Sequence, residues 1–216
     1  MDSQKKELLA IQSIVFDTPK HFVVFSHTHP DGDAIGSGLA MQFFLQQFNH
    51  KVDFIIPDTY PDFLDWMPNI SDIIIANTEN ESKLISILSK ADYFVFVDLN
   101  SISRLGSLAE CVGQFISKTT SILIDHHINP NTCFTHIYHS IAASSTSELL
   151  FKLIDEMGKK DMINKQIAEC LYVGIMTDTG SFSYSSNNPY TYEVVKHIVS
   201  FGVDTALIQQ MVYNTF

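Results

Sequence analysis

Arginine is almost missing from this sequence: 12 of its 13 basic residues are lysines, and Arg104 is the sole arginine. Against 24 acidic residues the formal net charge is −11. Long nucleic acid needs a field of cations to displace its counterions, so the balance argues against binding it, and no long duplex partner is expected, while short substrates remain open. Cysteine is also scarce. Cys111, Cys133 and Cys170 are odd in number, widely spaced and free of any CxxC pattern, which argues against a disulfide framework or a thiolate zinc site and fits a reducing compartment. The apolar runs, such as residues 22–25, 73–76 and 93–97, fall far short of the roughly 18–20 residues a membrane span requires. The first 15 residues lack the apolar core and cleavage site of a secretory signal, so a soluble cytoplasmic protein without a membrane partner is expected. A dinucleotide-binding Gly-x-Gly-x-x-Gly turn is missing too, because Gly32, Gly36 and Gly38 do not have that spacing.

What is present is a folding composition, with 45% hydrophobic and 17% charged residues in a chain of 216, enough for one compact domain with a substantial core. Apolar residues at helical spacing over residues 3–15 and 34–48 alternate with short strand-like runs at 22–25 and 52–56. A helical turn is expected at 63–67, strands at 73–75, 93–97 and 122–124, and helices at 81–88 and 105–116. This alternation predicts an α/β fold with a parallel sheet of about five strands flanked by helices. Residues 134–138 offer an extra strand. Segments 145–157, 164–176, 189–201 and 205–213 read as helices, so the C-terminal third is expected to be mostly helical.

In an open parallel sheet, ligands bind beyond the carboxyl ends of the strands, and there the sequence is rich in Asp and His. Ser26-His27-Thr28-His29-Pro30-Asp31-Gly32-Asp33 follows the first strand, Asp98 follows 93–97, and Asp125-His126-His127 follows 122–124. A fourth set, Thr177-Asp178-Thr179-Gly180, closes a helical run, and a carboxylate at a helix C-terminus opposes the macrodipole unless a cation lies nearby. Singly, each has an ordinary reading: Asp98 as a turn former, Asp31 and Asp33 as caps of the following helix. Jointly they would crowd like charges into one place. Asp and His without Cys suit a borderline or hard divalent ion, and their number exceeds what one ion requires. Two ions together activate water and stabilise the attacking and leaving oxygens in phosphoryl displacement.

Four motifs in order, HTHPDGDAIGS at 27–37, VDLNSISRLG at 97–106, DHH at 125–127 and GIMTDTGSF at 174–182, resemble those of the DHH phosphoesterase family. The likeness spans nearly the whole chain and leans toward its oligoribonuclease and pAp-phosphatase (NrnA-type, RecJ-like) branch. It implies His27, Asp31 and Asp98 on a first metal and Asp33, Asp98, His126 and Asp178 on a second, with Asp98 bridging. The implied cofactor is a pair of Mn²⁺ ions, with Mg²⁺ or Co²⁺ permitted by the ligand types. His127 would meet the substrate phosphate as hydrogen-bond donor or general acid, Asp125 would orient an imidazole, and Arg104 would hold a phosphate through its planar fork. His29 is not a ligand position and is expected to be solvated. Ser37 would donate to substrate, and the run Ser144-Ser145-Thr146-Ser147 either donates near the site or caps a helix.

Family members carry a C-terminal substrate domain (DHHA1-type) with a Gly-Gly-Gly-His type loop, whereas this sequence has no two adjacent glycines. Residues 1–216 are therefore expected to form the catalytic domain alone, ending at Val212-Tyr213-Asn214-Thr215-Phe216 where a linker would begin. The implied activity is hydrolysis of short 5′-phosphorylated oligonucleotides, of linear dinucleotides such as pApA, or of 3′-phosphoadenosine-5′-phosphate. A manganese pyrophosphatase or exopolyphosphatase and a non-catalytic structural module are the alternatives, and a homodimer of the full-length protein stays open.

Overall fold

The computed structural model describes residues 3–184 and 188–213; the expected linker residues after Tyr213 lie outside them. Six strands, β1 (His21–Phe25), β2 (Lys51–Ile56), β3 (Ile74–Ile75), β4 (Tyr93–Val97), β5 (Thr120–Asp125) and β6 (His136–His139), form one parallel sheet in the order β3-β2-β1-β4-β5-β6. The sheet thus has one strand more than the five of the main sequence reading. The extra strand lies at residues 136–139 rather than 134–138.

Both faces of the sheet are covered, which is why its strands read as unbroken apolar runs. Phe22 and Val24 of β1, Val95 and Val97 of β4, and Ile122 and Ile124 of β5 face one core. On that side pack α1 (Ser3–Val15), α2 (Gly32–Gln46), α5 (Thr146–Glu156), α6 (Lys165–Asp178) and α7 (Pro189–Ser200). Val23, Phe25, Phe94, Phe96 and Leu123 face the other core, under α3 (Glu81–Leu88) and α4 (Leu108–Gly113). A last helix, α8 (Thr205–Tyr213), closes the mostly helical C-terminal third.

The expected helix over 105–116 is replaced by a 3-10 turn, Ile102–Leu105, and the short α4. Gly106 interrupts it with φ of 53°, a conformation that favours glycine, and there a Cβ would strike the Thr28 side chain. That close approach, with the Thr28 N–H donating to the Arg104 carbonyl at 2.8 Å, ties the segment after β4 to the segment after β1.

The chain reverses direction across the sheet between β1 and β4, since β2 and β3 extend one way and β5 and β6 the other. This is the switch point at which open α/β sheets leave a crevice beyond their carboxyl ends. Phe25 pairs with Phe96, and Val97 with Ile124, so β1, β4 and β5 end at one level and deliver their succeeding segments to the same place. Helices α2 and α6 reach this level in direct contact because Gly36 lies against the Cys170 carbonyl, where a Cβ has no room. Gly36→Ala is expected to force the two helices apart and cost about 1–3 kcal/mol, read as a lower midpoint in urea unfolding; an unchanged midpoint would contradict this packing.

Candidate active site

The first sequence set enters α2. Asp31 is its N-cap: Oδ1 accepts the Asp33 and Ala34 N–H groups, each at 3.0 Å. A cap of this kind stabilises a helix by about 1 kcal/mol. It leaves the second oxygen of this exposed side chain free for the crevice. Asp33, within the first turn, is fully buried. Its Oδ2 accepts the Thr146 N–H at 2.6 Å and its Oδ1 the Ser147 N–H at 2.9 Å, so it satisfies two of the amides that α5 leaves unpaired at its start.

Asp98, directly after β4, is buried and adopts φ of 58°. For a non-glycine residue this left-handed conformation costs about 1–2 kcal/mol. The Asp98 N–H donating to the Ile124 carbonyl at 3.2 Å helps to hold it. The strained backbone sets the carboxylate between two groups of partners: Oδ2 lies 3.2 Å from His27 Nε2, while Oδ1 lies 3.7 Å from His126 Nε2 and 3.6 Å from His127 Nδ1.

The imidazoles divide by what orients them. His27 Nδ1 is 2.7 Å from the Thr28 carbonyl. A carbonyl only accepts, so that nitrogen carries the proton and Nε2 is left to face Asp98. His126 repeats the arrangement more loosely, with Nδ1 3.4 Å from the Ala143 carbonyl and Nε2 3.3 Å from Asp178 Oδ2. His127 differs. Its Nδ1 donates to Asp125 Oδ1 at 2.8 Å, its N–H donates to Asp125 Oδ2 at 3.2 Å, and its Nε2 lies 3.3 Å from Arg104 Nη1. Asp125 is fully buried and so serves as the fixed base on which His127 rests.

Charge in this crevice is out of balance. Burial pushes the Asp33 carboxyl well above the ordinary carboxylate range, and the charges of Asp98 and Asp178 push it further. Burial also raises Asp98, but the hydrogen bond and charge of His27 and the charges of His126 and His127 outweigh it and hold the group below its usual value. Asp178, at the last residue of α6, is pushed up to about 6, chiefly by burial, with His126 opposing and Asp98 and Asp31 adding to the rise. Burial lowers the His27 imidazole, yet the Asp98 hydrogen bond and charge leave it net raised. His127 is raised first by its bond to Asp125.

Three groups of these side chains could hold a cation. Potential ligand atoms of His27, Asp31 and Asp98 lie within 4.8 Å of one another, as do those of Asp33, His126 and Asp178, and those of Asp98, His126 and His127. The donor chemistry fits a divalent metal: the buried Asp98 faces His27 and the exposed Asp178 faces His126, imidazoles whose opposite N–H groups are directed at carbonyls, the usual support of a metal-binding histidine. In the third group the bond to Asp125 commits His127 Nδ1, so His127 fits a substrate role better than a ligand role.

The remaining expected residues separate. Among the described residues the ion pairs fall on lysines and histidines and none on Arg104, leaving its guanidinium beside His127 without a carboxylate. His29 is exposed, as expected, with its N–H donating to Asp58 Oδ2 at 2.9 Å. Ser37 requires a correction: it is buried, and its hydroxyl donates to the Asp33 carbonyl one turn back at 2.6 Å, so it has no donor left for a substrate. In the 144–147 run, Ser145 is the helix cap, accepting the Glu148 N–H at 3.0 Å. The sequence reading missed His139, whose Nε2 donates to the His127 carbonyl at 2.6 Å. It sits opposite Asp125 at the end of β6, and inspecting the end of that short strand would have found it.

Asp33 is also confined from behind by Gly174, where a Cβ would meet Ser147 Oγ and Asp33 Oδ1. Gly174→Ala is expected to displace that carboxylate and weaken Mn²⁺ binding about 10- to 100-fold in calorimetric titration; undiminished affinity would place Asp33 outside the ion-binding set.

The chain is similar to known proteins over most of its length. The chain is 25% identical over 209 residues to the cyclic-di-AMP phosphodiesterase PdeA of Listeria monocytogenes, covering 93% of this chain and 31% of that protein. It is 28% identical over 184 residues to the bifunctional oligoribonuclease and PAP phosphatase NrnA of Thermus thermophilus, covering 85% and 51%. The chain thus spans about half or less of the length of these relatives. The crystal structure of an exopolyphosphatase-related protein from Bacteroides fragilis superposes with a TM-score of 0.93 at 36% identity, over 98% of this chain and 61% of that one. The model of the DHH family N-terminal domain matches residues 21–175, and on that match, which takes in the segments after β1, β4 and β5, this chain belongs to the DHH family.

Proposed function

We propose that the chain is a metal-dependent phosphoesterase that hydrolyses short 5′-phosphorylated oligonucleotides, linear dinucleotides such as pApA, or 3′-phosphoadenosine-5′-phosphate. The observation that carries this reading is the division of labour in the crevice. A set of carboxylates and carbonyl-anchored imidazoles suited to cations lies beside an arginine and a carboxylate-anchored histidine suited to a phosphate.

His27, Asp31 and Asp98 would hold one divalent ion, and Asp33, His126, Asp178 and the other oxygen of Asp98 a second, with Mn²⁺ the favoured metal. Such a pair supplies an activated water and Lewis-acid stabilisation of the transferring phosphoryl group. The chain's own residues do the rest. Arg104 binds a non-bridging phosphate oxygen and orients phosphorus for in-line attack. His127, raised in proton affinity chiefly by its hydrogen bond to Asp125 and against the nearby charge of Arg104, has Nε2 facing the Arg104 guanidinium, which can only donate to it. It would act as general acid toward the leaving oxygen only in its doubly protonated form, once the phosphate has taken up the Arg104 donor. Asp125 keeps the other imidazole nitrogen protonated, and His139 fixes the backbone on which that ring stands. The net charge of −11 works against long polyanions and so favours short substrates, which require only local cations.

Two outcomes test this reading. Incubated with 5′-phosphorylated diadenylate and Mn²⁺, the protein should release AMP, and Asp98→Asn should lose both bound metal and nearly all release; equal release by the two proteins would contradict the assignment. Arg104→Ala should lower kcat/KM roughly 10²-fold, and Arg104→Lys should fail to restore it because an ammonium lacks the planar fork. Full recovery in the lysine variant would reduce Arg104 to a source of charge.

A further inference from the structure

We propose that Thr146 is a positioning residue that ties the two candidate ion sites to each other, through its main chain on one side and its hydroxyl on the other. The inference rests on reading the crevice as a two-ion centre. Thr146 is fully buried at the first position of α5. Local rules would make it part of a helix cap, but Ser145 already fills that role. Its N–H instead donates to Asp33 Oδ2 at 2.6 Å, and its Oγ1 donates to Asp98 Oδ1 at 2.9 Å. One residue therefore holds a carboxylate from each set, the first from α2 and the second from the end of β4.

The consequences differ for the two carboxylates. Asp33 is gripped at both oxygens by the consecutive amides of Thr146 and Ser147, a hold that any side chain at position 146 preserves. Asp98 has no such main-chain grip. Its terminal torsion belongs to the broad, two-fold kind with little preference of its own. The Thr146 hydroxyl bonds Oδ1, the oxygen on the side of His126 and His127, while Oδ2 faces His27. The hydroxyl thereby fixes which oxygen serves which set. Because Thr146 is fully buried at the start of α5, packing holds the donor in place before any ion arrives.

Removing the hydroxyl while keeping the amide isolates this role. Thr146→Val retains shape, branching and the N–H to Asp33. It is expected to weaken Mn²⁺ binding about 10- to 100-fold, the usual effect of losing a hydrogen-bond partner of a ligand. It should also replace the exchange-coupled electron paramagnetic resonance spectrum of a carboxylate-bridged Mn²⁺ pair by that of isolated ions. Thr146→Ser, which restores the hydroxyl, should bring back both affinity and coupling. Unfolding of each variant in EDTA reports folding apart from metal; should the valine variant not fold, Thr146→Ala is read in the same way. Wild-type affinity and coupling in the folded hydroxyl-free variant would overturn the proposal, as would lost affinity that serine fails to restore. A wild-type protein that takes up no coupled pair would overturn the two-ion reading itself, a result visible before any variant is compared.

Discussion

Two buried carboxylates with two exposed ones beside them, at the carboxyl end of a parallel sheet, are the constraint around which this molecule is arranged. Asp33 and Asp98 are buried, and the exposed Asp178 and Asp31 stand beside them. Like charges brought so close, two of them out of water, repel, and a fold that retains them must supply compensating donors. The protein supplies the donors itself: two amides of α5 and a threonine hydroxyl reach Asp33 and Asp98, and His27 and His126 face Asp98 and Asp178. The deficit that remains, seen in the raised proton affinity of Asp33 and Asp178, is one that a divalent ion would offset.

The topology makes this concentration of charge possible. Three strands ending at one level, with a reversal of winding between β1 and β4, bring residues some hundred positions apart into a single crevice. Helices α2, α5 and α6 complete it, and their closeness depends on two positions where only glycine fits, Gly36 against the Cys170 carbonyl and Gly174 against Ser147 and Asp33. Packing and chemistry meet at Gly174, because the absent side chain is the space that the Asp33 carboxylate and its α5 partner occupy. On the other side of the sheet, the Gly106 turn holds Arg104 against the loop that carries His27. One close approach thus positions Asp33 among its partners, and the other positions Arg104 beside the His27 loop.

Much of this was legible in the sequence because it rests on local patterns. The apolar runs of β1, β4 and β5 stand out since both faces of those strands are buried, and the Asp and His residues following them mark the crevice by the strand-end rule. The features that escaped depend on long-range geometry. Thr146 lies 113 residues from Asp33, and a Ser-Ser-Thr-Ser run is indistinguishable from a helix cap until that partner is known. Ser37 looked like a donor to substrate, but inside a helix a serine hydroxyl bonds the carbonyl one turn back, as it does here. His139 ends an edge strand one residue past the 134–138 run that the sequence offers as an extra strand, so the strand-end rule reaches it only when that run is treated as part of the sheet. The left-handed backbone of Asp98 leaves no trace in the residue type, although aspartate tolerates that conformation better than most.

On the proposed reading, Asp98 would stand between two ions, one on each oxygen, and diffraction from Mn²⁺-soaked crystals at the manganese absorption edge would show them. Two anomalous peaks roughly 3.5–4 Å apart are expected, one beside His27, Asp31 and Asp98 Oδ2, the other beside Asp33, His126, Asp178 and Asp98 Oδ1. A single peak, or peaks that do not touch Asp98, would contradict the account.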